Sequence, residues 1–272
     1  MEKVKKILIY TILIIGALIM VLPFFWMVVS SVKTAAEVNT TPPTFWPETP
    51  VFENYSYALS KAPFLIYFRN SIIVTVCCVA CTMFTTILAA FAFSRLKFPG
   101  RDLLFSLLLS MMMIPFEMLI ITNYTTIASV NLLDKLPALI IPFCASIFYT
   151  YILRNFFLAI PDSLYYSARV DGASNWRYLW RVMVPIAKPA LVTIGLLNAI
   201  ACWNSFLWTV IVTNSKEVRT LPFGLYAFMT SSGIRYERLM AAATIVVLPM
   251  IILFIFCRKS IVTGVSRGGL KG

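Results

Sequence analysis

Apolar and polar positions along the chain sort into six long apolar runs with shorter polar segments between them. The runs are roughly Ile7–Val32, Ser71–Ser94, Leu103–Ile121, Leu136–Leu158, Ala190–Thr213 and Met240–Cys257. A bilayer core of about 30 Å takes about 20 residues of helix, so each run predicts a membrane-crossing α-helix. Four runs carry an interior proline, Pro23, Pro115, Pro142 and Pro249. In water each would break a helix; in a membrane, neighbouring helices re-satisfy the freed carbonyls, so kinked spans are expected. The predicted fold class is all-α: one polytopic transmembrane domain over residues 1–272, with six spans and both ends on the same side.

One polar insertion has an order of its own. Pro161–Pro189 reads PDSLYYSARVDGASNWRYLWRVMVPIAKP. Pro161 followed by Asp162 or Ser163 predicts a helix start, because proline stops the preceding span and a short polar side chain caps free N–H groups. Leu164, Ala168 and Val170 supply an apolar stripe, and Asp171-Gly172 is a turn in which glycine takes the left-handed backbone. Trp176, Leu179, Trp180 and Met183 mark a second helix, which Pro185 and Pro189 end. The product is a helical hairpin at the membrane surface. Such a hairpin can lie on lipid headgroups. The tight turn and the small Ser167, Ala168, Gly172 and Ala173 favour instead the close approach of a protein partner.

Composition narrows the class. The chain is 60% hydrophobic and 12% charged, with mean hydropathy +0.86, against about 45–50% and about 25% for a soluble domain. A soluble enzyme is excluded. The net charge of +12 would point to nucleic acid only if Lys and Arg shared a polar face. They lie between the apolar runs, so nucleic acid is not an expected partner and the charges read as a topology signal. With a cytoplasmic N-terminus, the inner segments hold Lys3, Lys5 and Lys6; Arg95, Lys97 and Arg101; Arg154, Arg169, Arg177, Arg181 and Lys188; and Arg258, Lys259, Arg267 and Lys271. These are fifteen of the 23 basic residues. Both termini and the hairpin are therefore expected on the cytoplasmic side of the plasma membrane. The first outer segment, Thr34 to Arg69, opens on a proline-rich stretch, and Asn54 is expected to cap a short helix from Tyr55. The last, Asn214 to Arg238, is long enough for contact with a partner.

No catalytic constellation appears. Histidine is absent, and neither a GxxxxGK[ST] phosphate loop, a GxSxG elbow nor an HExxH metal motif occurs. The six cysteines, Cys77, Cys78, Cys81, Cys144, Cys202 and Cys257, all fall inside apolar runs and read as buried small hydrophobes rather than disulfide or metal ligands. Glu117 is an ionisable side chain near membrane depth, facing either a water-filled path or the outer interface. In the fifth run Asn198, Trp203, Asn204, Ser205 and Trp208 set amides and indoles in an apolar helix, with Asn204 near its middle. An amide there must face the bundle interior. It serves either as interhelical glue or, beside an aromatic face, as a sugar-binding group. Glu117, Asn198, Trp203 and Asn204 are the candidate pathway residues.

At this point the residues resemble a family. SARVDGASNWRYLWRVMVPIAKPAL is similar to the EAA loop of ATP-binding-cassette importer permeases. The likeness continues through AFSRLKFPGRDLLF, MMMIPFEMLIITNY, ILRNFFLAIPDSL, WNSFLW, TLPFGL and the tail GGLKG. The set resembles the carbohydrate-uptake permeases, in particular the smaller permease of maltose-type systems. The resemblance implies a six-helix subunit without enzymatic activity, paired with a second, different permease. It also implies two ATP-binding subunits below, which hold ATP and magnesium while this chain binds no cofactor, and an extracytoplasmic sugar-binding protein above. By motif position, coupling to the ATPase falls to Tyr166, Ser167, Ala168, Asp171, Gly172, Ala173 and Pro185. The family's opening glutamate is Tyr166 here and its first alanine Ser167, and Ser205 stands where the family often has aspartate. The competing readings are an ion-coupled secondary carrier, which calls for more intramembrane carboxylates, and a membrane assembly protein, which has no need of the hairpin.

Overall fold

A computed structural model describes residues 2–230 and 233–268, with backbone alone at 229, 230, 233 and 257–268. The tail beyond Gly268, including Lys271, and the side chain of Cys257 lie outside what is described. The helices are α1 (Glu2–Ser31), α2 (Ala35–Val38), α3 (Glu53–Lys61), α4 (Phe64–Arg95), α5 (Arg101–Met111), α6 (Ile120–Ser129) and α7 (Leu136–Ile140). They continue as α8 (Ile147–Leu158), α9 (Asp162–Val170), α10 (Asn175–Tyr178), α11 (Val184–Ile186), α12 (Lys188–Trp203), α13 (Leu207–Val212) and α14 (Tyr236–Gly268). A two-residue antiparallel ladder, Met229–Thr230 with Gly233–Ile234, is the β-structure among the described residues.

Among the described residues, three helices are long and apolar enough to cross a bilayer singly: α1, α4 and the part of α14 from Tyr236 to Phe256. Three bent pairs bring the number to as many as six. Arg101–Met111 turns by 90° into Phe116–Ser129, Leu136–Phe143 by 44° into Ile147–Leu158, and Asn175–Ile186 by 80° into Lys188–Trp203. The expected single span Leu103–Ile121 is therefore two helices at right angles. Pro115 explains the break: its backbone is extended at ψ 143°, it donates no hydrogen bond, and it disfavours helix at the residue before it. At the 44° bend, near Pro142, the Thr82 and Thr85 hydroxyls of α4 donate to the Phe143 and Cys144 carbonyls at 2.6 and 2.8 Å. That is how carbonyls freed by a helix break stay satisfied where water is scarce.

The chain divides into two compact units. The first comprises Met1–Leu65 and Leu221–Pro249. In α1 only Val29, Ser30 and Ser31 are buried, so most of its apolar surface is left for lipid or another chain. Just beyond it Thr34 and Glu37 form a capping box around α2. Glu37 also accepts from the Glu48 N–H at 2.6 Å. Backbone N–H groups of Thr34 and Glu48 hold the Glu37 carboxyl below its ordinary 4.5. Asn54 does not cap a helix; α3 begins at Glu53, and the Asn54 amide donates to the Ser31 and Lys33 carbonyls at 3.0 and 2.9 Å. Gly224 lies against the Phe64 ring, so close that a Cβ there would stand 2.9 Å from it.

The second unit, Ile66–Thr220 with Met250–Gly272, holds both groups of candidate residues. One buried cluster joins Ile87, Ala90 and Phe91 of α4, Leu153 and Phe157 of α8, and Tyr178, Leu179, Met183, Ala187, Leu191 and Ile194. The last six recur at helical spacing, forming one stripe across the bend at Ala187. A second cluster gathers Val74, Cys78, Ile127, Ala138, Leu139, Trp208 and Val212. Within lipid the hydrophobic effect does not drive helices together, so close packing and hydrogen bonds must. Trp208 supplies both: its buried indole N–H donates to the Ala138 carbonyl at 2.9 Å.

Candidate functional site

The insertion at 161–189 folds as a hairpin whose two arms differ in character. The first arm, α9, starts at Asp162 with Pro161 as N-cap and no side-chain cap. Arg95, at the end of α4, instead ties the carbonyls that end α8 to the start of α9. Its guanidinium donates to the Phe157 carbonyl at 2.8 Å and the Ile160 carbonyl at 2.5 Å, and pairs with the Asp162 carboxylate. Helix α9 ends in a Schellman turn: the Ala173 N–H bonds the Ala168 carbonyl at 2.9 Å, and the Gly172 N–H bonds the Arg169 carbonyl at 3.1 Å. Gly172 has φ +73°, the left-handed region that the Asp-Gly pair predicts. Ser174 then caps α10, accepting from the Arg177 N–H at 3.2 Å.

The second arm is core rather than surface. Tyr178, Leu179 and Met183 are buried, and residues 179–183 form a π-helical turn before α11. Of the four apolar positions expected for this helix, Trp176 is exposed. The arms are joined by Tyr165, whose hydroxyl donates to Asn175 Oδ1 at 3.0 Å and whose ring meets Tyr178 edge-on. Helix α9 thus displays and α10–α11 anchors. The expected stripe of Leu164, Ala168 and Val170 divides, since Ala168 is half-buried while Leu164 and Val170 are open, Val170 to 87%.

Tyr166, Ser167, Asp171 and Gly172 are exposed at the free end of α9, with Ala168 and Ala173 half-buried where they close the turn. Pro185 is exposed beyond α10, in α11. Arg95 was legible in the sequence only as a topology charge. Its partners, 62 to 67 residues away, gave no local sign.

The same unit contains a cavity of about 510 Å³. Glu117, Asn198 and Asn204 line it, together with Thr82, Ser146, Tyr149 and Trp208. Three of the four candidate pathway residues are thus brought together, and the fourth is not. Trp203 is buried and packs edge-on against Phe68, with ring centroids 6.1 Å apart, outside the cavity lining. The reason is a break that the sequence pattern does not reveal. Helix α12 stops at Trp203, and Asn204 is its C-cap rather than the middle of a span, so Trp203 and Trp208 lie on different helices. Asn198 is 5% exposed; its Oδ1 accepts from the Cys202 thiol at 3.4 Å and its Nδ2 has no partner. Of the cysteines, Cys78 is buried and lines the cavity, whereas Cys81 is exposed, against the expectation of burial.

Two cavity walls, α7 and α13, are pinned by Asp134. Its carboxylate accepts from the N–H groups of Asn214 and Ser215 at 2.9 Å and from the Ser215 hydroxyl at 3.0 Å. Its own N–H donates to the Val212 carbonyl at 2.9 Å. Burial opposes the charge on Asp134, but these donors outweigh it and hold the carboxyl below its ordinary 3.8.

Helices long and apolar enough to cross a membrane mark a multi-pass membrane protein, and its second unit carries both an exposed hairpin and a cavity. Residues 82–267 match the family described as the inner membrane component of binding-protein-dependent transport systems, and the chain belongs to that family. It is 35% identical over 265 residues to a Caldicellulosiruptor protein named as an ABC transporter permease, covering 96% of this chain and 95% of that one. It is 30% identical over 261 residues to the arabinooligosaccharides transport system permease AraQ of Bacillus subtilis, covering 94% and 92%. Its backbone matches a chain of a bacterial ABC transporter involved in importing the acidic polysaccharide alginate. That match has TM-score 0.80 at 25% identity, over 95% of this chain and 96% of the other. The EAA-type resemblance of the hairpin thus belongs to a permease chain, with ATP hydrolysis on a separate subunit.

Proposed function

We propose that the chain is one permease subunit of an ATP-driven carbohydrate importer. It pairs with a second permease, receives sugar from an extracytoplasmic binding protein, and docks its hairpin on the ATPase, whose two ATP-binding subunits hold ATP and magnesium. Both termini lie in the cytoplasm with the hairpin, on the charge count. The observation that carries the reading is the link from hairpin to cavity: α10–α11 runs through one bend at Ala187 into α12, which carries Asn198 and Cys202 to the cavity wall. Ten residues of helix separate Lys188 from Asn198, a rise of about 15 Å. A push on α9, transmitted by Tyr165 and Tyr178 to the buried arm, moves α12 as a rigid lever. Alternating access follows from packed elements with two arrangements, without chemistry in this chain.

Docking on the ATPase falls to Tyr166, Ser167, Asp171 and Gly172, with Ala168 and Ala173 shaping the turn and Pro185 at the bend of the anchoring arm. Glu117, Asn198 and Asn204 line the pathway. The test is affinity purification of the tagged chain, followed by reconstitution of the recovered assembly into vesicles. Co-recovery of a second permease and an ATPase, with sugar uptake that stops on ATP depletion, is the expected result. Recovery of the chain alone, with uptake driven by an ion gradient, overturns it in favour of a secondary carrier.

A further inference from the structure

We infer that the cavity selects its saccharide by charge, admitting neutral or cationic sugars and excluding acidic ones through the Glu117 carboxylate, while the Asn198 amide holds a sugar oxygen. The inference rests on the carbohydrate reading above and adds the class of sugar. Among the residues lining the cavity Glu117 is the one with a formally charged side chain; neither lysine nor arginine joins it. Glu117 is exposed and much of the remaining lining is apolar, including Val74, Leu139 and Phe143, so its carboxylate sets the sign of charge a solute meets there, over the short range that solvent and salt leave it. A uronic acid brought there meets like charge with no cation to offset it. A neutral sugar hydroxyl donates to the carboxylate, and an ammonium pairs with it.

Asn198 supplies the second contact. A buried amide N–H without an acceptor is costly and uncommon in a folded chain. Asn198 Nδ2 is in that state at the cavity wall, its Oδ1 already occupied by Cys202. A hydroxyl satisfies it because a hydroxyl accepts as well as donates. The importer of similar backbone handles an acidic polysaccharide; the charge lining this cavity has the opposite requirement.

The test has two arms on the full transporter. In the first, Cys202 is kept as the sole cysteine, and its modification rate is measured with a cationic trimethylammonium-ethyl and an anionic sulfonatoethyl methanethiosulfonate. The cation is expected to react about tenfold faster than the anion, relative to a free thiol. Glu117→Gln should abolish that preference and Glu117→Lys reverse it. An unchanged ratio in Glu117→Gln overturns the charge selection.

The second arm keeps the native cysteines, so it stands if the first variant does not assemble. Binding of xylobiose, deacetylated chitobiose and digalacturonate is followed by saturation-transfer NMR in the absence of the binding protein. Wild type is expected to bind the first two only, Glu117→Gln to admit digalacturonate, and Asn198→Leu to lose xylobiose. Equal digalacturonate binding by wild type and Glu117→Gln overturns the inference alone. Absence of binding by all three sugars overturns the carbohydrate reading, whatever the thiol rates show.

Discussion

Arg95 closes the last turn of α4 and, through the same guanidinium, pairs with Asp162 at the first turn of α9. Its side chain is 5% exposed and that of Asp162 72%. An ion pair with one partner so open to solvent adds little. The anchor is therefore the two bonds to the Phe157 and Ile160 carbonyls, and the carboxylate aligns the fork that makes them.

Arg95→Ala should loosen the hairpin without unfolding the protein. Hydrogen bonds from a charged donor are worth about 1.5–3 kcal/mol each, so uptake per ATP hydrolysed should fall about tenfold or more. Arg95→Lys should not restore it, because a single ammonium cannot reproduce the fork. Hydrogen exchange over residues 161–178 should quicken in both variants. Unchanged exchange there would show that Arg95 does not hold the hairpin.

At Gly172 the penalty is in the backbone alone. A Cβ would meet nothing within 4 Å, but φ is +73°. Gly172→Asn should be tolerated, Gly172→Ala should cost about 1–2 kcal/mol, and Gly172→Val more. Gly172→Pro, with φ fixed near −65°, should leave the chain in the membrane while uncoupling uptake from ATPase activity. Measuring both rates in vesicles decides the matter; coupled uptake in the proline variant would remove the turn from the mechanism.

Asp134 gives a pH dependence with a definite sign. Its carboxyl titrates lower in the folded chain than the ordinary 3.8, so the unfolded state binds the proton first as pH falls. Its contribution to stability is complete above about pH 3.8 and is lost as pH falls through the folded value. Asp134→Asn should unfold more readily than wild type at pH 7, with the difference shrinking below pH 3.8. Parallel melting curves in detergent across that range would contradict the assignment.

Gly224 is a packing position rather than a conformational one. A Cβ would lie 2.9 and 3.0 Å from two atoms of the Phe64 ring, itself 4% exposed. Gly224→Ala should therefore destabilise by about 1–3 kcal/mol. Adding Phe64→Leu should recover part of the loss, a coupling that a thermal-melt double-mutant cycle measures directly.

The sequence made the Gly172 turn legible because glycine after aspartate has a backbone consequence that depends on no other part of the chain. The apolar runs were legible for the same reason, being long enough to need lipid. What stayed hidden was tertiary. Pro115 announced a kink but not a right angle. The break after Trp203 contains neither glycine nor proline: it is WNSFLW, held by bonds such as Ser205 N–H to the Cys202 carbonyl at 3.3 Å, so the two tryptophans looked alike although only Trp208 reaches the cavity. The buried second arm of the hairpin depended on partners in α4 and α8, far away in the chain.

The Schellman turn also bears on how such importers diversify. Its two closing bonds run between backbone atoms, and nothing crowds Gly172, so the shape of the hairpin's free end does not depend on the side chains at 166, 167 or 170. Tyr166 can therefore replace the family's glutamate without altering the scaffold that presents it. On the proposed docking, the surface shown to an ATPase can change at these positions while the backbone that presents it stays the same.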